Sequence, residues 1–239
     1  MQLSKRLKTL ADMVSKGRKV ADVGCDHAYV SIYLMEQHIA KSVIAMDINK
    51  GPIKKAKENI EAHHLSHCIE TRLSNGLMEL APGEVDAILI AGMGGPLTVE
   101  ILSAREDVLA MVEELILSPH SEINLVREYL RNHSFAIIEE NMVKEDGKYY
   151  MMMKASRIEK EVKKKEALDP MTQSLFDRYG EYLLKHKHPV LNEYLNVELA
   201  KRKKIKKQLI EKSQEYEQRM QELEYDIEIL EGGLHYYAL

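Results

Sequence analysis

The fold is decided by the stretch Asp22-Val23-Gly24-Cys25-Asp26-His27-Ala28-Tyr29. It begins within the short apolar run Val20–Val23 and leads into a segment with helical periodicity. Gly24 allows the backbone to turn sharply between the two elements and lets a ligand approach the main chain. The sequence therefore predicts a strand, a ligand-binding turn and a helix, in that order.

The same alternation continues along the chain. Further short apolar runs lie at Val43–Met46, Val85–Ile90 and Leu115–Leu117, and helical patterns at Ile53–Ile60 and Leu97–Val112 separate them. Short buried strands that alternate with helices predict a parallel α/β sheet.

A hairpin is predicted near the end of this region. Glu145-Asp146-Gly147-Lys148 lies between the strand-like runs Ala136–Ile138 and Tyr149–Met153, and Asp-Gly is a strong hairpin signal. A Rossmann-like parallel sheet that ends in an antiparallel pair is typical of class I methyltransferases, whereas dehydrogenase sheets usually stay parallel. We therefore expect the methyltransferase form of the fold.

The remainder of the chain is predicted to be helical. Composition becomes charge-rich from Arg157 to Asp169, so we place a catalytic domain at 1–158 and a helical coiled-coil domain at 159–239. We expect Pro189 to begin a long helix, Gly232-Gly233 to end the helical region, and Leu175–Leu184 to be a partner helix. An apolar seam is predicted at Leu195, Leu199, Leu209, Tyr216, Met220, Leu223, Ile227 and Leu230.

Composition excludes several classes of protein. The 239 residues carry a net charge of -4, so any nucleic-acid binding must come from a local patch. The two cysteines imply no disulfide framework, and no apolar run reaches the length of a signal peptide or membrane span. We expect a cytoplasmic protein with no membrane association and no obligate protein partner.

The acidic residues of the first loop indicate which cofactor binds there. The loop lacks the third glycine of the dinucleotide fingerprint and carries Asp26, which suits an amino-bearing ligand better than a pyrophosphate. Asp47 ends the next strand about 25 residues after Asp22, where an acidic side chain commonly binds a ribose. The pattern favours S-adenosylmethionine over NAD. An ordinary strand-to-helix turn, a helix cap at Asp47, a NAD-dependent oxidoreductase and a non-catalytic RNA-binding adaptor remain the alternatives.

A second loop follows another predicted strand. Ala91-Gly92-Met93-Gly94-Gly95-Pro96 comes directly after Val85–Ile90, at the sheet edge where ligands bind. Its glycines predict a wall of bare backbone against which another molecule can lie, although a flexible loop is the alternative.

Two other clusters are open to simpler interpretations. His63, His64, His67 and Cys68 lie at a predicted helix end without a paired ligand pattern, which favours a solvated loop over a metal site. The basic run Lys201–Lys204, followed by Lys206 and Lys207, is either a solvated helix face or a contact for RNA phosphates.

Together these motifs resemble the bacterial tRNA adenine-22 N1-methyltransferases, the TrmK family. The resemblance covers about Met1 to Ala155, and the helical remainder matches only in pattern. The matching pieces are Leu3-Ser4-Lys5-Arg6-Leu7, Asp22 to Tyr29, Ala91-Gly92-Met93-Gly94-Gly95 and Glu145-Asp146-Gly147-Lys148. Cys25 replaces a common serine, and Asn75 stands where an acidic residue is usual, although its amide can still pair with the adenine of the cofactor.

The resemblance implies methyl transfer from S-adenosylmethionine to N1 of adenine 22 in the D-arm of tRNA, with another RNA as the alternative substrate. Asp26 is the candidate catalytic carboxylate. The residues assigned to the cofactor are Asp22, Gly24, Asp26, His27, Asp47, Asn75, Gly76, Ala91, Gly92 and Met93. Those assigned to the tRNA substrate are Arg6, Gly94, Gly95, Pro119, Lys203, Lys204 and Lys207. No metal is expected.

Overall fold

The computed structural model describes residues 3–158, 168–210 and 217–238. The chain divides into two compact units, Met1–Val162 and Lys163–Leu239. The boundary predicted between residues 158 and 159 lies at the edge of the described residues, so it stays a prediction.

The first unit is built on a mixed sheet. Its strands are β1 (Arg18–Val23), β2 (Ala40–Asp47), β3 (Ile69–Leu73), β4 (Ala87–Ala91), β5 (Glu114–Ser118), β6 (Phe135–Glu145) and β7 (Lys148–Arg157). In the described residues they form one sheet of order β3-β2-β1-β4-β5-β7-β6. The first five are parallel, and β7 runs antiparallel to both β5 and β6. The predicted class I methyltransferase sheet with a late hairpin is confirmed.

Helices cover both faces of this sheet. They are α1 (Lys5–Asp12), α2 (Tyr29–Glu36), α3 (Lys50–Ala62), α4 (Gly95–Ser103), α5 (Glu106–Leu109) and α6 (Ile123–Asn132). Neighbouring strand residues alternate between two buried clusters: Val20 packs with one and Ala21 with the other. Because both faces of the central strands are buried, their sequences are mostly apolar and do not alternate with polar residues.

The hairpin and the edge strand show what local sequence can and cannot indicate. Asp146 and Gly147 both have positive φ, 49° and 73°, which is the backbone of the tight turn that Asp-Gly favours. Strand β3 could not be predicted from the sequence, because the edge segment Ile69-Glu70-Thr71-Arg72-Leu73 is mostly polar and lacks an apolar run.

The second unit is helical. Its described helices are α7 (Pro170–Tyr179), α8 (Glu181–Lys185), α9 (Pro189–Ile210) and α10 (Glu217–Ala238). Ion pairs join Lys203 to Glu231 and Lys206 to Glu224, at 2.8 and 2.7 Å, so α9 and α10 are antiparallel. Helix α9 begins at Pro189 as predicted. Of the predicted seam, Leu195, Leu223 and Leu230 are buried, Leu199, Leu209, Met220 and Ile227 are partly buried, and Tyr216 lies outside the described residues.

One helix end and two helix spans were predicted wrongly. The helical pattern at Leu97–Val112 is two helices, α4 and α5, with Ala104 and Arg105 between them. Helix α10 continues through Gly232 and Gly233 to Ala238. The reason is packing, since a Cβ on Gly233 would lie 3.2 Å from Leu195 Cδ1, so the small residue permits close contact inside the bundle. The partner helix predicted at Leu175–Leu184 is instead two helices, which meet at Gly180 with a φ of 86°.

Candidate functional site

The strand register brings the predicted loops to one edge of the sheet. Val23 of β1 is level with Met46 of β2 and with Ile90 of β4, and Ala91 is level with Ser118 of β5. The loops that follow β1, β2, β4 and β5 therefore leave the carboxyl edge side by side. This is the edge at which open α/β sheets bind ligands.

The loop after β1 is a tight turn with three left-handed residues. Gly24, Asp26 and Ala28 have φ values of 74°, 43° and 59°. The backbone N–H groups of Gly24 and Cys25 both donate to the Met46 carbonyl, at 2.8 and 2.9 Å. The turn is thus fastened to the neighbouring strand β2. A Cβ on Gly24 would lie 2.5 Å from Met93 Cε, so this loop also borders the loop Ala91–Pro96 after β4, which we call the glycine loop.

Asp22 differs from the other acidic residues of the site because it is buried. The residue is 3% exposed, and its carboxyl accepts a 2.6 Å hydrogen bond from Ser31 Oγ on α2. Burial raises the pKa of Asp22 to about 6, because desolvation disfavours the charged form. This contact ties the end of β1 to α2. Its predicted role in cofactor binding stays a prediction.

Asp26 and His27 lie at the outer surface of the same loop. The Asp26 side chain is 75% exposed and its Oδ1 lies 3.4 Å from His27 Nε2. The His27 ring stacks on Tyr29 with centroids 5.4 Å apart. The turn therefore presents a solvated carboxylate beside two aromatic rings, which suits a ligand that carries both positive charge and an aromatic group.

Asp47 ends β2 next to this loop. One carboxylate oxygen accepts the Asn49 N–H at 2.8 Å, and the Asp47 carbonyl accepts the Ser74 N–H at 2.9 Å. The bond from Asn49 fixes the direction of the side chain. The contact with Ser74 brings Asn75, which is exposed, and Gly76, which has a φ of 57°, to the same edge.

The glycine loop after β4 contains three glycines with different surroundings. Gly92 has a φ of 82° and donates its N–H to the Ser118 carbonyl at 3.3 Å. Gly94 precedes α4, and a Cβ there would lie 3.1 Å from Ser121 Oγ. Gly95 is buried, and a Cβ there would lie 2.4 Å from the Glu122 carbonyl oxygen. Backbone packing alone therefore accounts for Gly95, whereas Gly92 and Gly94 are free to face a ligand.

A cluster at this edge was missed by the sequence analysis. Arg6, assigned to substrate, donates from Nη1 to His120 Nε2 at 2.9 Å, and its guanidinium lies 4.9 Å from the Tyr150 ring centroid. His120 also donates its backbone N–H to the Met93 carbonyl at 2.8 Å, next to the buried Pro119. The signal that could have indicated His120 is its position directly after a central parallel strand.

The basic run on α9 is partly neutralised. Lys203 pairs with Glu231 as described, and Lys201 and Arg202 both contact Glu198 at about 2.5–2.7 Å. Within the described ranges, no ion pair is found for Lys204 or Lys207. The charge available to a nucleic acid is therefore smaller than the sequence suggests.

The histidine-rich segment after α3 has an ordinary environment. His63 Nδ1 lies 2.7 Å from a carboxylate oxygen of Glu36. Among residues 3–158, 168–210 and 217–238, no group of three or more His, Cys, Asp or Glu side chains could hold a metal ion. None of the helices in those ranges is long and apolar enough to cross a membrane.

Comparison with known proteins identifies the family of this chain. The methyltransferase domain family matches residues 3–153. The chain is also similar over nearly its whole length to the tRNA (adenine(22)-N(1))-methyltransferase of Bacillus subtilis (strain 168). The two are 35% identical over 232 residues, which is 96% of each chain.

Solved structures of this family are similar over nearly the whole chain. The crystal structure of the B. subtilis m1A22 tRNA methyltransferase TrmK is similar with a TM-score of 0.85 and 36% identity, covering 98% of this chain and 99% of that one. A Streptococcus pneumoniae protein in complex with S-adenosyl-L-methionine has a TM-score of 0.83 and 33% identity, covering 98% and 100%.

Proposed function

The chain belongs to the family of bacterial tRNA (adenine(22)-N(1))-methyltransferases, and we propose on that premise that its substrate is tRNA and its product is N1-methyladenosine at position 22. The observation that carries this proposal is the likeness to a curated enzyme over 96% of both chains. The methyl donor is S-adenosylmethionine, which a structural relative binds. Because tRNA is the substrate, we infer a cytoplasmic location.

The residues at the sheet edge fit this donor. S-adenosylmethionine supplies an electrophilic methyl group on a positively charged sulfonium, together with an amino acid end, a ribose and an adenine. The partly exposed carboxylate of Asp47 suits the ribose hydroxyls, and the exposed amide of Asn75 suits the adenine. The solvated carboxylate of Asp26 suits the positively charged amino group of the donor.

The reaction requires little acid–base chemistry from the protein. N1 of neutral adenine carries its own lone pair, so no general base is obligatory. Catalysis can rest on placing N1, the methyl group and the sulfur in line. N1 lies on the Watson–Crick edge, so the base must be unpaired or flipped out of its stem to reach the glycine loop. Positive charge develops on the adenine, and we assign its stabilisation to the Asp26 carboxylate.

We expect the replacement of Asp47 by alanine to weaken S-adenosylmethionine binding by about 1–3 kcal/mol, through lost charge-assisted hydrogen bonds to the ribose. Titration calorimetry measures the change. Asp47→Asn is the matched control, because an amide oxygen can still accept the Asn49 N–H that orients the side chain. An Asp47→Ala variant with unchanged affinity would remove Asp47 from the cofactor site.

For tRNA binding, we expect Lys204 and Lys207 to contribute more than the lysines that already face carboxylates. Replacing both with glutamine should flatten the salt dependence of tRNA affinity by roughly 0.9 per lost phosphate contact. The matched control is Lys201→Gln with Lys203→Gln, whose ammonium groups contact Glu198 and Glu231. Filter binding across a salt series gives the slopes. Equal slopes for wild type and the Lys204/Lys207 variant would show that this face is merely solvated.

The proposed reaction is tested by incubating the protein with total tRNA and S-adenosylmethionine and identifying the modified nucleoside by mass spectrometry. N1-methyladenosine is the expected product. A different methylated nucleoside, or methylation of another class of RNA only, would contradict the proposal.

A further inference from the structure

Arg6, His120 and Tyr150 contact one another and form a cluster next to the glycine loop. The residues come from α1, the loop after β5, and β7, and two of them are more than 100 positions apart in sequence. Arg6 Nη1 lies 2.9 Å from His120 Nε2, and the guanidinium is held over the Tyr150 ring. The rings of His120 and Tyr150 meet edge to face, with centroids 5.6 Å apart. His120 thus has a defined orientation although it is exposed.

The hydrogen bond from Arg6 determines the protonation of this imidazole. An arginine side chain has donors only, so Nε2 of His120 must accept and the ring proton must lie on Nδ1. Partial desolvation, Arg6 and Lys148 together lower the pKa of His120, which favours the neutral ring. Glu145 of β6 is also close to Arg6, since its carboxylate accepts a hydrogen bond from the Arg6 backbone N–H.

The imidazole lies beside Gly92 of the glycine loop, which we propose as one wall of the substrate pocket. A Cβ built on Gly92 would lie 3.8 Å from His120 Cε1, an ordinary contact distance. The backbone bond from His120 to Met93 fixes the two loops to each other. A base that lies against Gly92 therefore meets the imidazole as the adjacent wall.

We propose that His120, oriented by Arg6 and Tyr150, contacts the target adenine and positions it for methyl transfer. This inference rests on the proposed function. The neutral ring provides a face for stacking and one N–H donor without adding positive charge next to a base that itself becomes cationic. Tyr150 is partly buried against the core and serves as the support, so Arg6 and Tyr150 are positioning residues.

The test is the kinetics of His120→Ala on tRNA at saturating S-adenosylmethionine. We expect kcat to fall roughly 10- to 100-fold, the loss that follows from poor placement of a reacting group. The KM for tRNA should change much less, because phosphate contacts dominate tRNA affinity. Affinity for S-adenosylmethionine should not change. His67→Ala is the matched control and should keep wild-type kcat, since this histidine is exposed in the segment after α3.

The pH profile separates this role from a structural one. Protonation of His120 in acid removes the lone pair that accepts from Arg6, so wild-type kcat should fall as pH drops below the lowered pKa of this residue. His120→Asn keeps an acceptor oxygen that cannot titrate, so its profile should lack that acid limb and its kcat should exceed that of His120→Ala at low pH.

The outcomes distinguish this inference from the proposed function. If wild type makes N1-methyladenosine and folded His120→Ala matches its kcat within about twofold, His120 does not position the base, since a positioning contact is worth more than that. An acid limb that persists unchanged in His120→Asn would also overturn the inference. If wild type itself methylates no tRNA, the proposed function fails first.

Discussion

Replacing Gly95 with alanine is expected to destabilise the first unit by about 1–3 kcal/mol and to lower methylation by roughly 100-fold. The added Cβ would lie 2.4 Å from the Glu122 carbonyl oxygen and 2.8 Å from that of Ser121, and these are backbone atoms that cannot rotate away. Relieving the clash must also strain the hydrogen bond from the Gly95 N–H to Ser121. Thermal unfolding and a tRNA methylation assay measure the two effects.

Gly94→Ala is the matched control for this variant. Gly94 has an ordinary φ of -72°. Its added Cβ would lie 3.1 Å from the Ser121 hydroxyl, which can turn aside, and 3.8 Å from Pro96 Cδ, an ordinary contact distance. We expect an unchanged midpoint of thermal unfolding together with reduced methylation, because the new methyl group enters the proposed substrate wall. Full activity in Gly94→Ala would show that the target base does not lie there. Unchanged stability in Gly95→Ala would show that the loop packing is not what requires this glycine.

The second large effect concerns stability. Arg127→Met should lower the free energy of unfolding by about 3–5 kcal/mol, the usual cost of breaking a buried ion pair. Arg127 Nη2 and Nε lie 2.6 and 3.0 Å from a carboxylate oxygen of Glu140, and the Glu140 side chain is only 1% exposed. The substitution leaves that carboxylate buried without its arginine.

The double variant Arg127→Met with Glu140→Leu provides the control, since it removes both charges and should recover much of the lost stability. Urea unfolding of both variants gives the comparison. A single variant within about 1 kcal/mol of wild type would mean that the pair is far less important than its burial suggests.

The central part of the sheet could be predicted from sequence because its signals are local. Val20–Val23 is an apolar run followed directly by Gly24, and Asp146-Gly147 encodes its own turn. The cofactor loop follows from the same logic, since strand order places every loop after a parallel strand at one edge. The glycine loop and Asp47 were predicted in this way, and their role in binding stays a prediction.

What the sequence could not indicate depends on contacts between distant residues. Arg6 and His120 bond to each other although they are 114 positions apart, so no local pattern indicates the cluster that they form with Tyr150. Gly233 lies inside a helix because Leu195 packs against it, whereas the local signal of two glycines predicts a helix end. The basic run on α9 suggests an open cationic surface, but in the structure Glu231 of α10 forms an ion pair with Lys203.

The central claim is that this enzyme methylates N1 of adenine 22 in tRNA. It is tested most directly with two tRNA transcripts that differ only at position 22, one with adenine and one with guanine. After incubation with the protein and S-adenosylmethionine, mass spectrometry of nuclease fragments locates any added methyl group. The account predicts N1-methyladenosine at position 22 of the first transcript and no methylation of the second. Equal methylation of both transcripts, or a methyl group at any other position of the first, would contradict it.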